Sequence, residues 1–135
     1  LEDLSHSDER VVFLGEKNRE EVWSELEKCH VGILPMPESK IWRTASPLKL
    51  AEYLAAGLLV IGPRHPGNSI GRENNWELLA DEEDWPKNCM ELVARTLESD
   101  EWAKISKESR DSAKALDWSV VSEKLSRSLD LFLES

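Results

Sequence analysis

The stretch from Thr44 to Pro63 runs a loop, a capped helix and an apolar strand together with hardly a residue between them. Ser46 suits the N-cap, Pro47 the first helical position with its fixed φ and missing donor, and Gly57 is placed to end the helix in the left-handed conformation. A helix start of this kind offers free N–H groups and partial positive charge to an anion. Lys49 stands in the first turn, where the macrodipole disfavours a cation by roughly 0.3–1 kcal/mol, and a bound anion would offset that cost. Glu52 lies three residues on, sharing a face with Lys49 and Leu48. Spacing alone leaves two readings open: a carboxylate above an anion site, or a surface Lys49–Glu52 pair of small energy.

Other segments repeat the alternation. Val11-Val12-Phe13-Leu14-Gly15 is a short apolar run ended by glycine, the form expected of a strand buried on both faces of a parallel sheet. Asn18 can cap a helix from about Arg19 to Lys28, with Val22, Leu26 and Cys29 at helical spacing and Trp23 alongside. His30-Val31-Gly32-Ile33-Leu34-Pro35 reads as the second buried strand, ended by Pro35. From Met36 to Ala45 no period is visible, and the segment is expected to be irregular. The helix from Pro47 to Ala56 leads to the third strand, Leu58–Ile61, and the loop from Arg64 to Ser69 leaves the same edge of the sheet. Loops at the carboxyl ends of parallel strands are where such folds bind ligands.

Trp76 to Ala80 reads as a short fourth strand, and helices follow. Asp84 is expected to cap one to about Glu98, with Trp85, Cys89, Leu92, Val93 and Thr96 inward. Asp100 is expected to cap a second carrying Trp102, Ile105 and Ala113, and Asp117 a third with Trp118, Val121, Leu125, Leu129 and Phe132 on one stripe. The fold expected is α/β, a Rossmann-like parallel sheet flanked by helices and followed by C-terminal helices. At 135 residues the chain suits one domain, taken as 1–135.

The formal net charge of −10, with no Lys/Arg-rich run, argues against a nucleic-acid partner. It does not argue against a nucleotide, since a few backbone N–H groups and one or two cations hold a phosphate. Cys29 and Cys89 fall on apolar stripes and read as small buried hydrophobes, while His6, His30 and His65 stand apart from them and from each other. No metal-ligand spacing results, and no metal or other cofactor is expected. No apolar run reaches membrane-spanning length and no charged leader opens the chain, so a cytoplasmic location is expected.

Most carboxylates belong to solvated helix faces, but Glu38 and Glu52 follow or belong to loops at the ligand edge. No Gly-x-Ser-x-Gly elbow, Walker loop, Gly-x-Gly-x-x-Gly or His-Glu-x-x-His is present. No catalytic residue and no protein nucleophile is evident.

The succession of Val11–Gly15, His30–Pro35 and above all Ser46-Pro47-Leu48-Lys49-Leu50-Ala51-Glu52-Tyr53-Leu54-Ala55-Ala56-Gly57-Leu58-Leu59-Val60-Ile61 resembles the C-terminal, donor-binding half of family-4 (group 1) glycosyltransferases of the GT-B fold. The likeness runs from about Val11 to the C-terminus, with the Trp118 region similar to an element before the family's last helix. It implies a hexosyltransferase-like, retaining enzyme whose substrate is a nucleoside diphosphate sugar. Glu52 would bond the donor ribose, and the helix start, Ala45, Ser46, Pro47, Leu48 and Lys49, would receive the diphosphate. Gly15 and Lys17 would lie near the base.

Two departures shape the expectation. The family's Glu-x7-Glu has Thr44 where its first glutamate contacts the donor sugar, which leaves Thr44, Arg43 and Glu38 as candidates for that contact. A complete donor half also begins with another strand and helix that bring an Arg/Lys pair to the diphosphate, and a complete enzyme has an N-terminal acceptor-binding half. The expectation is therefore a fragment or one piece of a split enzyme, inactive without its N-terminal domain or partner chain. In relatives the last helix crosses to that half; the Trp118–Phe132 stripe either does so or docks on this domain's own sheet. The alternatives are a non-catalytic α/β interaction module, or a related GT-B nucleotide-sugar enzyme such as an epimerase.

Overall fold

A computed structural model describes residues 7–44, 48–69, 77–81 and 83–133. Its elements are α1 (Arg19–Leu26), β1 (Val31–Ile33), α2 (Lys40–Thr44), α3 (Leu48–Ala56), β2 (Leu59–Pro63), a 3-10 turn (Pro66–Asn68), β3 (Glu77–Ala80), α4 (Trp85–Glu98), α5 (Trp102–Ala113), a second 3-10 turn (Lys114–Leu116) and α6 (Trp118–Leu133). The three strands form one parallel sheet in the order β1-β2-β3, flanked by helices. This is the α/β, Rossmann-like arrangement that the sequence predicts.

The central strand explains the apolar run best. Val60 pairs with Gly32 on one side and Glu77 on the other, and every residue of β2 is buried. A strand paired on both edges and covered on both faces has no room for a polar side chain. Leu34, Leu50, Leu54, Leu59, Val60, Ile61, Cys89, Val93 and Ile105 form the core around it.

The end of α3 is fixed twice over. Gly57 takes φ +81°, Gly57 N–H donates to Leu54 O and Leu58 N–H to Tyr53 O, the two bonds of a Schellman cap. Helix α5 then takes up two further carbonyls here: Arg110 Nη2 donates to Ala56 O at 3.1 Å and Ser109 Oγ to Leu58 O at 2.9 Å. Buried serines on α5 thus dock it against α3 at the point where the chain turns into β2.

Elsewhere the structure corrects the sequence reading. Val11–Gly15 is not a strand, and Val12 is 72 % exposed. Apolar character alone does not make a strand; the backbone needs a partner, and among the described residues β1 bonds only to β2, leaving Ile33 on the outer side 48 % exposed. The segment before Ser46 is not wholly irregular: Lys40–Thr44 is helical, with Ser39 Oγ accepting from Trp42 N–H at 3.3 Å as a local cap. Cys29 is exposed rather than buried, because α1 ends at Leu26 and Cys29 falls beyond its stripe. Cys89 is buried as expected.

The caps divide in the same way. Asn18 and Glu21 form a full capping box on α1. Asp84 occupies the N-cap of α4 in the αR region, not the extended region in which an N-cap side chain reaches forward, and it makes no capping bond. Glu101, not Asp100, precedes α5, also without a capping bond. Asp117 does cap: its Oδ1 accepts from Ser119 N–H at 2.8 Å and Ser119 Oγ at 2.5 Å. Leu92 is exposed, outside the inward face of α4. Of the fourth predicted strand, Trp76 lies outside the described residues.

Helix α6 carries no buried residue, and its stripe faces outward: Trp118 is 80 % and Phe132 76 % exposed, with Val121, Leu125 and Leu129 between them. It does not dock on the sheet.

Candidate functional site

The carboxyl ends of parallel strands gather the loops that follow them, and here those are the segment from Leu34 to α3 and the segment from Arg64 to Ser69. Helix α3 starts from the first of these. Leu48, at its beginning, is 75 % exposed, and Lys49 Nζ donates to Glu52 Oε2 at 2.7 Å. The hydrogen bond to Glu52 raises the Lys49 ammonium above its ordinary value. Both side chains remain substantially open to solvent, so screening keeps the pair's contribution to folding small. Ala45, Ser46 and Pro47, the expected cap and first turn, lie outside the described residues.

A cleft of about 420 Å³ opens between the two loops. Glu38 and Arg43 form one wall as an ion pair. Arg64, His65, Pro66 and Ser69 come from the second loop, and Glu77 and Leu79 from β3. Helix α2 comes close to the 3-10 turn at Gly67, where a Cβ would sit 1.8 Å from Trp42 O, so only glycine lets these walls approach.

Buried polar side chains hold the loops in place. His65 Nε2 lies 2.9 Å from Met36 O, and His65 Nδ1 accepts from Gly67 N–H at 3.2 Å. With Nδ1 on Gly67 N–H and Nε2 on Met36 O, one imidazole bridges the two loops. Asn68 Nδ2 donates to Pro63 O at 3.0 Å and to Leu34 O at 3.3 Å, tying the ends of β1 and β2 together. Arg64 is held on β3, its backbone N–H donating to Ala80 O at 2.8 Å and its Nη2 to Leu79 O.

Of the expected site residues, Glu38 and Arg43 come together in the cleft, and Lys49 and Glu52 on α3. Thr44 does not line the cleft; its hydroxyl bonds back to Ile41 O and Lys40 O within α2. Gly15, with φ +68°, and Lys17 precede α1 and are not part of the cleft wall. The sequence marks the loop from Arg64 to Ser69 only by its place after a buried strand, which singles out none of its residues. Among the described residues no group of three His, Cys, Asp or Glu could hold a metal ion, and no helix is long and apolar enough to cross a membrane.

A family model described as glycosyl transferases group 1 matches residues 1–99. The chain belongs to this family. The match takes in the sheet, α3 and the cleft of this group 1 glycosyltransferase and ends just after α4, so the residues that line the cleft all fall within it. Family membership gives the chain a transferase role in general terms. Neither the curated proteins nor the solved structures gave a match.

Proposed function

We propose that this group 1 glycosyltransferase chain binds the nucleoside diphosphate sugar donor of a retaining, hexosyltransferase-like reaction, as the donor half of a GT-B enzyme. The observation that carries the reading is the Lys49–Glu52 pair on the opening turns of α3, at the carboxyl edge of a parallel sheet. Glu52 is then the acceptor for two ribose hydroxyls, since a carboxylate matches a vicinal diol. Lys49 and the N–H groups of the helix start, from Ala45 to Leu48, receive the diphosphate. Glu38 and Arg43 reach the sugar, and Gly15 with Lys17 the base.

On this reading the chain contributes to rate by stabilising the charge that develops on the departing diphosphate, with oriented N–H groups and a cation aimed at it before the bond breaks. No protein-bound metal is required for that step. The acceptor is supplied by an N-terminal domain or partner chain, and the exposed α6 stripe from Trp118 to Phe132 is the surface on which that half docks. Titrating the full chain with UDP, GDP and ADP tests the reading. Saturable binding of one of them is expected; failure of all three to bind at millimolar concentration counts against a donor site.

A further inference from the structure

We infer that the sugar held in the cleft carries an oxyanion, a carboxylate or a phosphate, and that Arg64 binds it. The inference rests on the sugar-binding part of the proposed function, not on its nucleotide part.

The cations of the cleft differ in what they have left to offer. Arg43 is paired with Glu38, and both ring nitrogens of His65 are engaged within the protein, Nε2 with Met36 O and Nδ1 with Gly67 N–H. Arg64 makes no ion pair with a carboxylate among the described residues. It is also fixed in place: its backbone N–H and its Nη2 bond to consecutive carbonyls of β3, Ala80 O and Leu79 O. A guanidinium has five N–H donors in a rigid fork, and one bond to a carbonyl leaves the fork able to take two oxygens of an anion. Holding that fork in advance removes the rotamer entropy that a mobile arginine loses on binding.

The remaining groups fit the rest of an acidic sugar. Glu38, paired with Arg43, and Glu77, which accepts from Ser69 Oγ at 3.0 Å, keep acceptor oxygens suited to hydroxyl donors, and as carboxylates they disfavour a second anion. Leu79 and Pro66 supply apolar surface for a sugar's C–H face. The volume of about 420 Å³ lies within the usual range for small-molecule sites.

The test is calorimetric titration of the full chain with glucose, glucuronate and glucose 6-phosphate, with UDP, GDP and ADP titrated alongside. For ligands of this size a dissociation constant on the order of 1 mM is expected for the anionic sugars. Glucose should bind roughly 10-fold more weakly or worse, since a charge-assisted bidentate contact is lost. A response to glucuronate alone assigns a carboxylate, and one to glucose 6-phosphate alone a phosphate. Arg64→Ala should weaken the anionic sugars by roughly 10-fold and leave glucose unchanged; Arg64→Lys, keeping charge without the fork, should fall between. Arg127→Ala on α6 should change nothing. Equal binding of all three sugars, binding of none, or parent-like affinity in Arg64→Lys overturns the inference, and Arg64→Lys decides the matter where Arg64→Ala does not fold. Sugar binding without nucleotide binding contradicts the donor reading and leaves Arg64 its role.

Discussion

Lys49 Nζ and Glu52 Oε2 meet at 2.7 Å, one turn apart on the exposed opening of α3. Neither group supports the core, which on this helix is made by Leu50, Leu54 and Ala56. Glu52→Ala should therefore change unfolding free energy by less than about 1 kcal/mol, the ordinary range for an exposed pair. A urea melt of parent and variant measures it. A larger loss would make Glu52 a structural residue.

Gly57→Ala should cost much more, about 1–3 kcal/mol, because the left-handed φ of +81° is unfavourable for alanine and the new Cβ would lie 2.6 Å from Ser106 Oγ and from Arg110. A drop in melting temperature is the readout, and an unchanged one would contradict the cap described at the end of α3.

The two thiols should react differently in the native chain. Cys29 is exposed, while Cys89 is buried and that burial pushes its thiol up. Counting thiols with a chromogenic disulfide reagent should give one fast site in the folded protein and a second only on unfolding. Equal rates would place Cys89 at the surface.

Asp117 sets an acid limit on α6. Its hydrogen bonds from Ser119 hold the carboxyl below its ordinary 3.8, so the capping contribution is present above about pH 3.8 and is lost as pH falls through the lower folded value. Circular dichroism should show helix lost in that acid range in the parent, and Asp117→Ala should lack that step while showing less helix at neutral pH. Superposable acid profiles would remove Asp117 as the cap.

The stretch from Leu48 to Pro63 was legible in sequence because propensity, capping and burial agree there. Gly57 ends the helix, and a strand paired on both sides must be apolar throughout. Val11–Gly15 misleads for a related reason: its composition matches a central strand, but among the described residues it has no strand partner, which no local pattern encodes, and Val12 is in solvent. Asp84 and Asp100 show the same limit at single residues, since capping depends on the backbone angles before the helix as well as on the side chain. Glu38 and Glu52 stand out in sequence by belonging to or following a loop at the ligand edge, and Arg43 by its place beside Thr44 in the resemblance. Arg64, His65 and Asn68 do not, because their roles depend on carbonyls of Leu79, Met36 and Leu34 brought near by the sheet.

The measurement closest to the central claim is a calorimetric titration of UDP, GDP and ADP into the parent chain and into Glu52→Ala. One nucleotide should bind the parent with a dissociation constant below about 1 mM, and Glu52→Ala should weaken it by roughly 10-fold or more, the loss of a charged hydrogen-bond acceptor. Equal affinity in the two chains, or no binding to the parent, would contradict the assignment of Glu52 to the donor.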